Sequence, residues 1–376
     1  MDVIPLTRPW FDEAERGRLL QALAGRVAGD GPFGRRVEQL LAERTGARRA
    51  LLTTSCTHAL ELALLALGVG PGDEVIVPSF TFVSTANAVL RVGAQPVLAD
   101  IEPVTLGLDP RDAEQRLSSR TRALLPMHYA GLAADLDGLL ELAGRRRLLL
   151  VEDAAQGFGG RLRGRALGTF GDAGCLSFHE TKNVTCGEGG ALLLNDPEVA
   201  ARAEIIREKG TNRGAFLRGE VDKYTWVAEG SSYVLSDLLA ALLEAQLEKA
   251  DRIAERRAAI VARYRAELAS WAAGHGVALP AEPPDQEPGH HIFHLLFPSP
   301  ASRDAALVEL RAAGIGASFH YLPLHLSPFG RDLPGAHDPL PVSERVAATL
   351  LRLPLHPLLT ADEVSRVVEA VTALRP

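Results

Sequence analysis

The chain has few cysteines, no excess of basic charge and no long apolar run, and each shortage removes a class of function. Its three cysteines, at 56, 175 and 186, have no metal-ligand spacing and no even count. That pattern fits a reducing compartment, and a cytoplasmic location is expected. Forty Lys and Arg stand against 47 Asp and Glu, a net charge of −7 with a pI near 5.9. No nucleic-acid partner is expected from that balance, because phosphate binding needs a clustered basic footprint. The one basic run, Arg145-Arg146-Arg147, leads straight into Leu148–Val151 and reads as a helix end before a strand. No clean apolar span of membrane-crossing length occurs, so no membrane segment is expected. The opening MDVIPLTRPWFDEAER carries acids and prolines where a signal peptide needs an apolar run. Internal repeats and low-complexity stretches are also missing. What is present is an ordinary globular balance, 47% apolar and 23% charged, over 376 residues. That length suggests two domains.

The most informative stretch is GDAGCLSFHETKNVTCGEGG, residues 171–190. A short apolar strand (Cys175, Leu176, Phe178) runs into a polar turn with one lysine, Lys182, and closes on Gly-Glu-Gly-Gly before a second apolar strand, Ala191–Leu194. A lysine between two buried strands would be desolvated. Its pKa would fall toward the neutral amine that a Schiff base requires. The glycines are expected to let backbone approach something bulky and flat.

Around this stretch, short apolar runs alternate with helical patterns. Residues 1–35 read as an arm and a helix from Phe11 to about Leu23, ending at the bend Gly29-Asp30-Gly31-Pro32, and a helix over Arg36–Thr45 follows. Strands are predicted at Ala50–Thr53, Glu74–Pro78, Gln95–Asp100, Arg122–Met127 and Leu148–Val151. Ser55-Cys56-Thr57 form a polar corner ahead of a helix, which is either a simple cap or a phosphate site on bare N–H groups. Phe80-Thr81-Phe82 is predicted to start the next helix. Leu148–Val151 is a continuous apolar run, as in a strand buried on both faces, and ends in Glu152-Asp153-Ala154-Ala155-Gln156. Acids there sit where α/β sheets bind ligands, and alternation along a strand lets only one of the two face the site. The pattern predicts an α/β protein with a mostly parallel sheet.

Beyond the helix predicted at Pro197–Lys209, the segment holding Lys209, Arg213, Tyr224 and Trp226 mixes cations and aromatics without periodicity. It suits a nucleotide diphosphate and sugar, with an ordinary surface loop as the alternative. Leu238–Arg265 reads as one long helical stretch and hinge. His290, His291 and His294 lack a carboxylate or cysteine to complete a zinc set, and His291, Phe293 and Leu295 alternate as a strand would, so no metal is expected. A strand over Gly316–Tyr321 ends in the corner His320-Tyr321-Leu322-Pro323-Leu324-His325.

SFHETKNVTCGEGG resembles the lysine segment of the DegT/DnrJ/EryC1/StrS sugar aminotransferases, and the likeness runs from Ile4-Pro5 to the last helix. That resemblance implies a fold-type-I enzyme, with a large pyridoxal-phosphate-binding domain over 1–245 and a small C-terminal α/β domain over 246–376. It further implies a homodimer with shared active sites, and a cofactor cycling through pyridoxamine phosphate. Lys182 would hold the cofactor covalently and shuttle the proton. Asp153 would pair with the ring nitrogen, Gln156 with the ring hydroxyl, and Phe82 would lie against the ring. Ser55, Cys56, Thr57 and Ser177 would anchor the phosphate. His179, Lys209, Arg213, Tyr224, Trp226, His320 and Tyr321 are the candidates for substrate. Gly230-Ser231-Ser232-Tyr233-Val234 departs from the family's Gly-x-Asn-x-Arg, so Ser232 replaces the asparagine that reaches the partner's cofactor phosphate and Val234 replaces the arginine. That GSSY departure resembles the branch that aminates C4 of dTDP-4-keto-6-deoxyglucose with L-glutamate. A transaminase for another carbon or another nucleotide is the nearer rival. A dehydratase relative would carry histidine in place of Lys182, and a non-catalytic regulator or nucleic-acid binder is disfavoured by the acidic charge.

Overall fold

The short apolar runs of the first half do pair side by side. In the computed structural model, which describes residues 3–333 and 336–375, they build one seven-stranded sheet. Its strands are β1 Arg49–Thr53, β2 Glu74–Pro78, β3 Gln95–Ala99, β4 Thr121–Leu124, β5 Leu149–Asp153, β6 Ala173–Ser177 and β7 Gly190–Leu194. Their order is β1-β7-β6-β5-β4-β2-β3. β7 alone runs antiparallel to its neighbours, while the pairings through β6, β5, β4, β2 and β3 are parallel. The exception has a local cause. The chain returns from Ser177 to Gly190 through a turn and has no crossover helix, which a parallel partner would need.

Alternation along the strands assigns the two faces. Val75, Val77, Val151, Cys175 and Leu192 pack in one cluster with helices Cys56–Ala66 and Val83–Arg91. Ile76, Leu124 and Leu150 pack on the other face with helix Leu136–Arg146, and Leu52, Leu176 and Leu193 with helices Pro32–Thr45 and Asp237–Glu248. Helices thus cover both faces, as a largely parallel sheet demands. In the C-terminal part, helices Ala250–His275 and Ala361–Ala373 pack on a two-stranded antiparallel sheet, Phe293–Leu296 with Leu350–Leu353. Ile4 belongs to that C-terminal core and bridges Ile315.

Four local expectations are corrected. The second helix starts at Pro32, because the Asp237 carboxylate accepts from the amides of Phe33 (3.3 Å) and Gly34 (2.7 Å). The same contact explains the glycine bend: a Cβ on Gly31 would lie 2.2 Å from Asp237 Oδ2. Phe80-Thr81-Phe82 precedes its helix, which runs Val83–Arg91 with Phe82 at the N-cap. Leu238–Arg265 falls into two helices that break at Lys249, whose ammonium is held by Glu15 (2.6 Å) and Asp12 (3.1 Å). Gly316–Tyr321 forms no strand, only a single bridge from Ser318 to Arg352.

Candidate active site

Asp153, Ser177 and the corner after β1 all lie at the C-terminal ends of parallel strands, where open α/β sheets place their ligand sites. There they line a cavity of about 520 Å³ together with Lys182, Phe82, His320 and Tyr321.

Lys182 is carried by the return from β6 to β7. Phe178 N donates to Gly189 O (2.8 Å), Glu180 N to Gly187 O (2.8 Å) and Lys182 N to His179 O (2.9 Å), which fixes the turn. The amine makes no hydrogen bond or ion pair among the described residues and is turned into the cavity. Burial lowers its pKa and the Arg352 charge adds to that, while Asp153 opposes it.

Asp153 is 4% exposed and faces the side of the sheet covered by helix Cys56–Ala66. Burial raises its pKa, and two donors work against that rise: Thr85 Oγ1 to Oδ2 at 2.8 Å and Ala155 N to Oδ1 at 3.1 Å. Because Thr85 spends its proton on the carboxylate, it accepts from Thr81 Oγ1 at 2.8 Å, giving a directed relay of two buried hydroxyls. Glu152 points to the opposite face. Its carboxylate accepts from His128 Nε2 (2.9 Å) and from the amides of Gly168, Phe170 and Gly171. That acid is structural and fastens the loop before β6.

Ser55 caps helix Cys56–Ala66 by accepting from His58 N at 3.1 Å. The Cys56 and Thr57 amides donate to no group among the described residues, so the helix end offers bare N–H groups to the cavity. Thr57 Oγ1 donates to Ser84 Oγ at 2.8 Å. Burial pushes the Cys56 thiol far above its usual range, so any anion there meets its amide and a neutral side chain. The glycines after Lys182 serve this corner. A Cβ on Gly190 would lie 2.4–2.5 Å from Ser55 C, Ser55 O and Cys56 N, and one on Gly189 2.6 Å from Cys186 Sγ. The bulky neighbours these two glycines admit are the protein's own backbone and a thiol, and Gly189 also lines the cavity.

On the far wall, Gln156 Oε1 accepts from Ala130 N (2.8 Å) and its Nε2 donates to Tyr321 Oη (2.8 Å). Tyr321 stacks on His320 at 4.1 Å, and Phe82, 57% exposed, presents its ring to the open cavity. His179 and Ser177 complete the rim beside Lys182. His325, from the same corner as His320, is instead tied to Ser79 Oγ (2.7 Å) and Glu344 (3.2 Å).

A family model decides what this cavity belongs to: the DegT/DnrJ/EryC1/StrS aminotransferase family matches residues 9–372. The chain is a member of that family. It is accordingly a pyridoxal-phosphate-dependent aminotransferase with the type-I fold of these enzymes. Solved structures agree over the full length. The aminotransferase TlmJ from Streptoalloteichus hindustanus is 33% identical with a TM-score of 0.90, covering 99% of this chain and 98% of its own. S. venezuelae DesV, solved with a ketimine intermediate, is 35% identical with a TM-score of 0.90 and the same coverages. 3-Amino-5-hydroxybenzoic acid synthase is 29% identical with a TM-score of 0.88, again covering 99% and 98%. The residues of this chain fit the family's cofactor: a free amine, a buried carboxylate and a bare helix terminus share one cavity.

Five sequence candidates lie elsewhere. Lys209 pairs with Glu208 (3.0 Å), Arg213 approaches Asp30 (3.4 Å), and Tyr224, Trp226 and Ser232 are exposed on the outside of the chain. Sequence reasoning also missed Thr85, Ser84, His291 and Arg352. Arg352 had a readable signal, a single cation inside the apolar run Leu350-Leu351-Arg352-Leu353, the same kind of signal that marked Lys182.

Proposed function

We propose that this aminotransferase moves the amino group of L-glutamate to C4 of dTDP-4-keto-6-deoxy-D-glucose, giving a dTDP-4-amino-4,6-dideoxyhexose. The observation that carries the reading is the pairing, in one cavity, of a partnerless, desolvated Lys182 amine with the buried Asp153 carboxylate. The choice of acceptor is supported by the GSSY departure and by the segment Lys223-Tyr224-Thr225-Trp226.

When bound, pyridoxal phosphate supplies the carbon that carries the amino group between substrates and the ring that withdraws electrons from it. Lys182 would hold it covalently. Once released, Lys182 Nζ takes the proton from one carbon and returns it to the other, which its lowered pKa favours near neutral pH. Asp153 Oδ, whose rise in pKa on burial Thr85 and the Ala155 amide oppose, would hold a proton on the ring nitrogen. The phosphate fits the Cys56 and Thr57 amides with the Ser55, Thr57 and Ser177 hydroxyls. Phe82 offers a face to the ring, and the N–H that Gln156 does not give to Tyr321 can meet the ring hydroxyl. His179, His320 and Tyr321 line the space left for substrate.

The same proposal includes a homodimer. Trp226 (76% exposed), Tyr224, Val227, Phe216 and Leu217 form an uncovered apolar segment. Across a two-fold axis that segment, with Lys209, Arg213 and Ser232, would close the partner's cavity over the nucleotide and the cofactor phosphate. The large domain over 1–245 and small domain over 246–376 would meet at this cavity. A different nucleotide keto sugar is the second reading, because Lys209, Arg213, Tyr224 and Trp226, the residues expected to meet the nucleotide, are not among the described residues that line this chain's own cavity.

Lys182→Ala tests the proposal. It should keep the fold, lose the covalently held cofactor and form no amino sugar from dTDP-4-keto-6-deoxy-D-glucose. Wild-type turnover in that variant would end this mechanism, and wild-type enzyme that turns over only UDP- or GDP-linked keto sugars would move the acceptor.

A further inference from the structure

We infer that Arg352, oriented by His320, is the receptor for the α-carboxylate of the amino donor. This deepens the proposed function and rests on it.

Arg352 lies on the strand Leu350–Leu353 of the C-terminal part, and its side chain lines the cavity that holds Lys182 and Asp153. Its Nη1 donates to His320 Nε2, its Nε is buried without a partner, and no carboxylate pairs with it among the described residues. Burial lowers its pKa, yet a guanidinium does not give up its proton in a protein, so a charge with unused donors stands in a desolvated wall. An uncompensated buried cation is destabilising unless a ligand answers it.

The surroundings favour an anion. Lys182 and the second buried guanidinium, Arg257, lie within electrostatic reach of Arg352, and of the two acids among the described residues lining the cavity, Asp153 is buried and Glu188 is exposed at the rim. Arg257 is already spent on the carbonyls of His290 (2.8 Å) and His291 (2.7 Å). Arg352 is not spent.

The geometry is also prepared for a planar partner. Arginine has no acceptor, so His320 Nε2 must take the hydrogen bond, which fixes His320 as neutral with its proton on Nδ1. That Nδ1 faces Tyr129 Oη at 3.4 Å, and the ring is clamped flat against Tyr321. A guanidinium held by one Nη, with Nε free, presents a fork that suits a carboxylate bidentately. The cofactor phosphate has its own site at the Cys56 helix end, whereas the α-carboxylate is attached to the carbon whose proton Lys182 handles. It must therefore bind close to the amine. A keto sugar offers hydroxyl and ether oxygens there and gains less from the charge.

The test separates the two half-reactions on pyridoxal-phosphate-loaded enzyme, with Arg352→Gln and Arg352→Lys. Loading and its visible band should be unchanged in both variants, since Arg352 does not hold the cofactor. Bleaching by L-glutamate should need roughly 100-fold more glutamate in Arg352→Gln, as expected for losing a charge-assisted pair, with partial rescue in Arg352→Lys. Reaction of the pyridoxamine form with the keto sugar should change less than about fivefold on the same scale. Calorimetric binding of 2-oxoglutarate should weaken in parallel with glutamate, a readout free of turnover. Glutamate bleaching at the wild-type concentration in Arg352→Gln would overturn the assignment. So would loss confined to the sugar half-reaction, which would place the sugar diphosphate at Arg352. Wild-type enzyme that bleaches only with another amino acid would refute the glutamate reading alone, and the Arg352 comparison would then be made with that donor.

Discussion

Thr85→Val removes one hydroxyl of nearly the same shape and isolates what the buried relay does. Thr85 is fully buried, and its Oγ1 donates to Asp153 Oδ2 at 2.8 Å while accepting from Thr81. Burial pushes the Asp153 carboxyl toward its protonated form, and the Thr85 bond is the largest of the contributions that oppose that shift. A hydrogen bond to a charged group contributes about 1.5–3 kcal/mol. Its loss therefore shifts the ratio of ionised to protonated carboxyl by roughly ten- to a hundredfold. Activity needs the ionised form, so the acid limb of the kcat profile should move to higher pH, with the plateau nearly kept. Thr85→Ser retains the donor and should retain the wild-type limb. The assay is kcat against pH for the three proteins, with equal cofactor loading verified by absorbance. A Thr85→Val profile that overlays the wild type would refute the claim that this hydroxyl sets the state of Asp153.

Two further outcomes follow from the same site. Gly190→Ala drives a Cβ into the Ser55–Cys56 backbone and should cost about 1–3 kcal/mol of stability and weaken cofactor retention. Gly144→Ala, on a helix with nothing within 4 Å, should be neutral or stabilising by up to about 1 kcal/mol, and denaturant melts compare the two. In cofactor-free protein, the Lys182 pKa lies below the ordinary 10.5, so between the two values the unfolded chain binds the proton and the folded chain does not. Wild-type stability relative to Lys182→Met should therefore rise as pH climbs toward 10.5, and a flat difference would contradict the burial of that amine.

What could be read from the sequence was whatever local pattern controls. β2 runs Glu74–Pro78 as the apolar run predicted, and the antiparallel return of β7 follows from the turn that carries Lys182. Glu152 and Asp153 separate to opposite faces because a strand alternates, and the hydrogen bonds of Glu152 show which of them is structural. What escaped depends on long-range contacts. Thr85 meets Asp153 across the sheet edge, 68 residues away, and nothing near Thr85 in the sequence announces a carboxylate. The bend at Gly31 is readable, but its cause is not: Asp237, distant in the chain, occupies the place of its missing Cβ. Phe82 was placed inside a helix because apolar periodicity does not mark an N-cap.

The central claim is that Lys182 and Asp153 make one cofactor-bearing site that takes an amino group from a donor and gives it to a keto sugar. The absorbance spectrum of the purified protein tests it most directly, recorded before and after L-glutamate and again after dTDP-4-keto-6-deoxy-D-glucose. A yellow band that bleaches with glutamate and returns with the keto sugar is the predicted result. A protein that stays colourless even after incubation with pyridoxal phosphate would contradict the account.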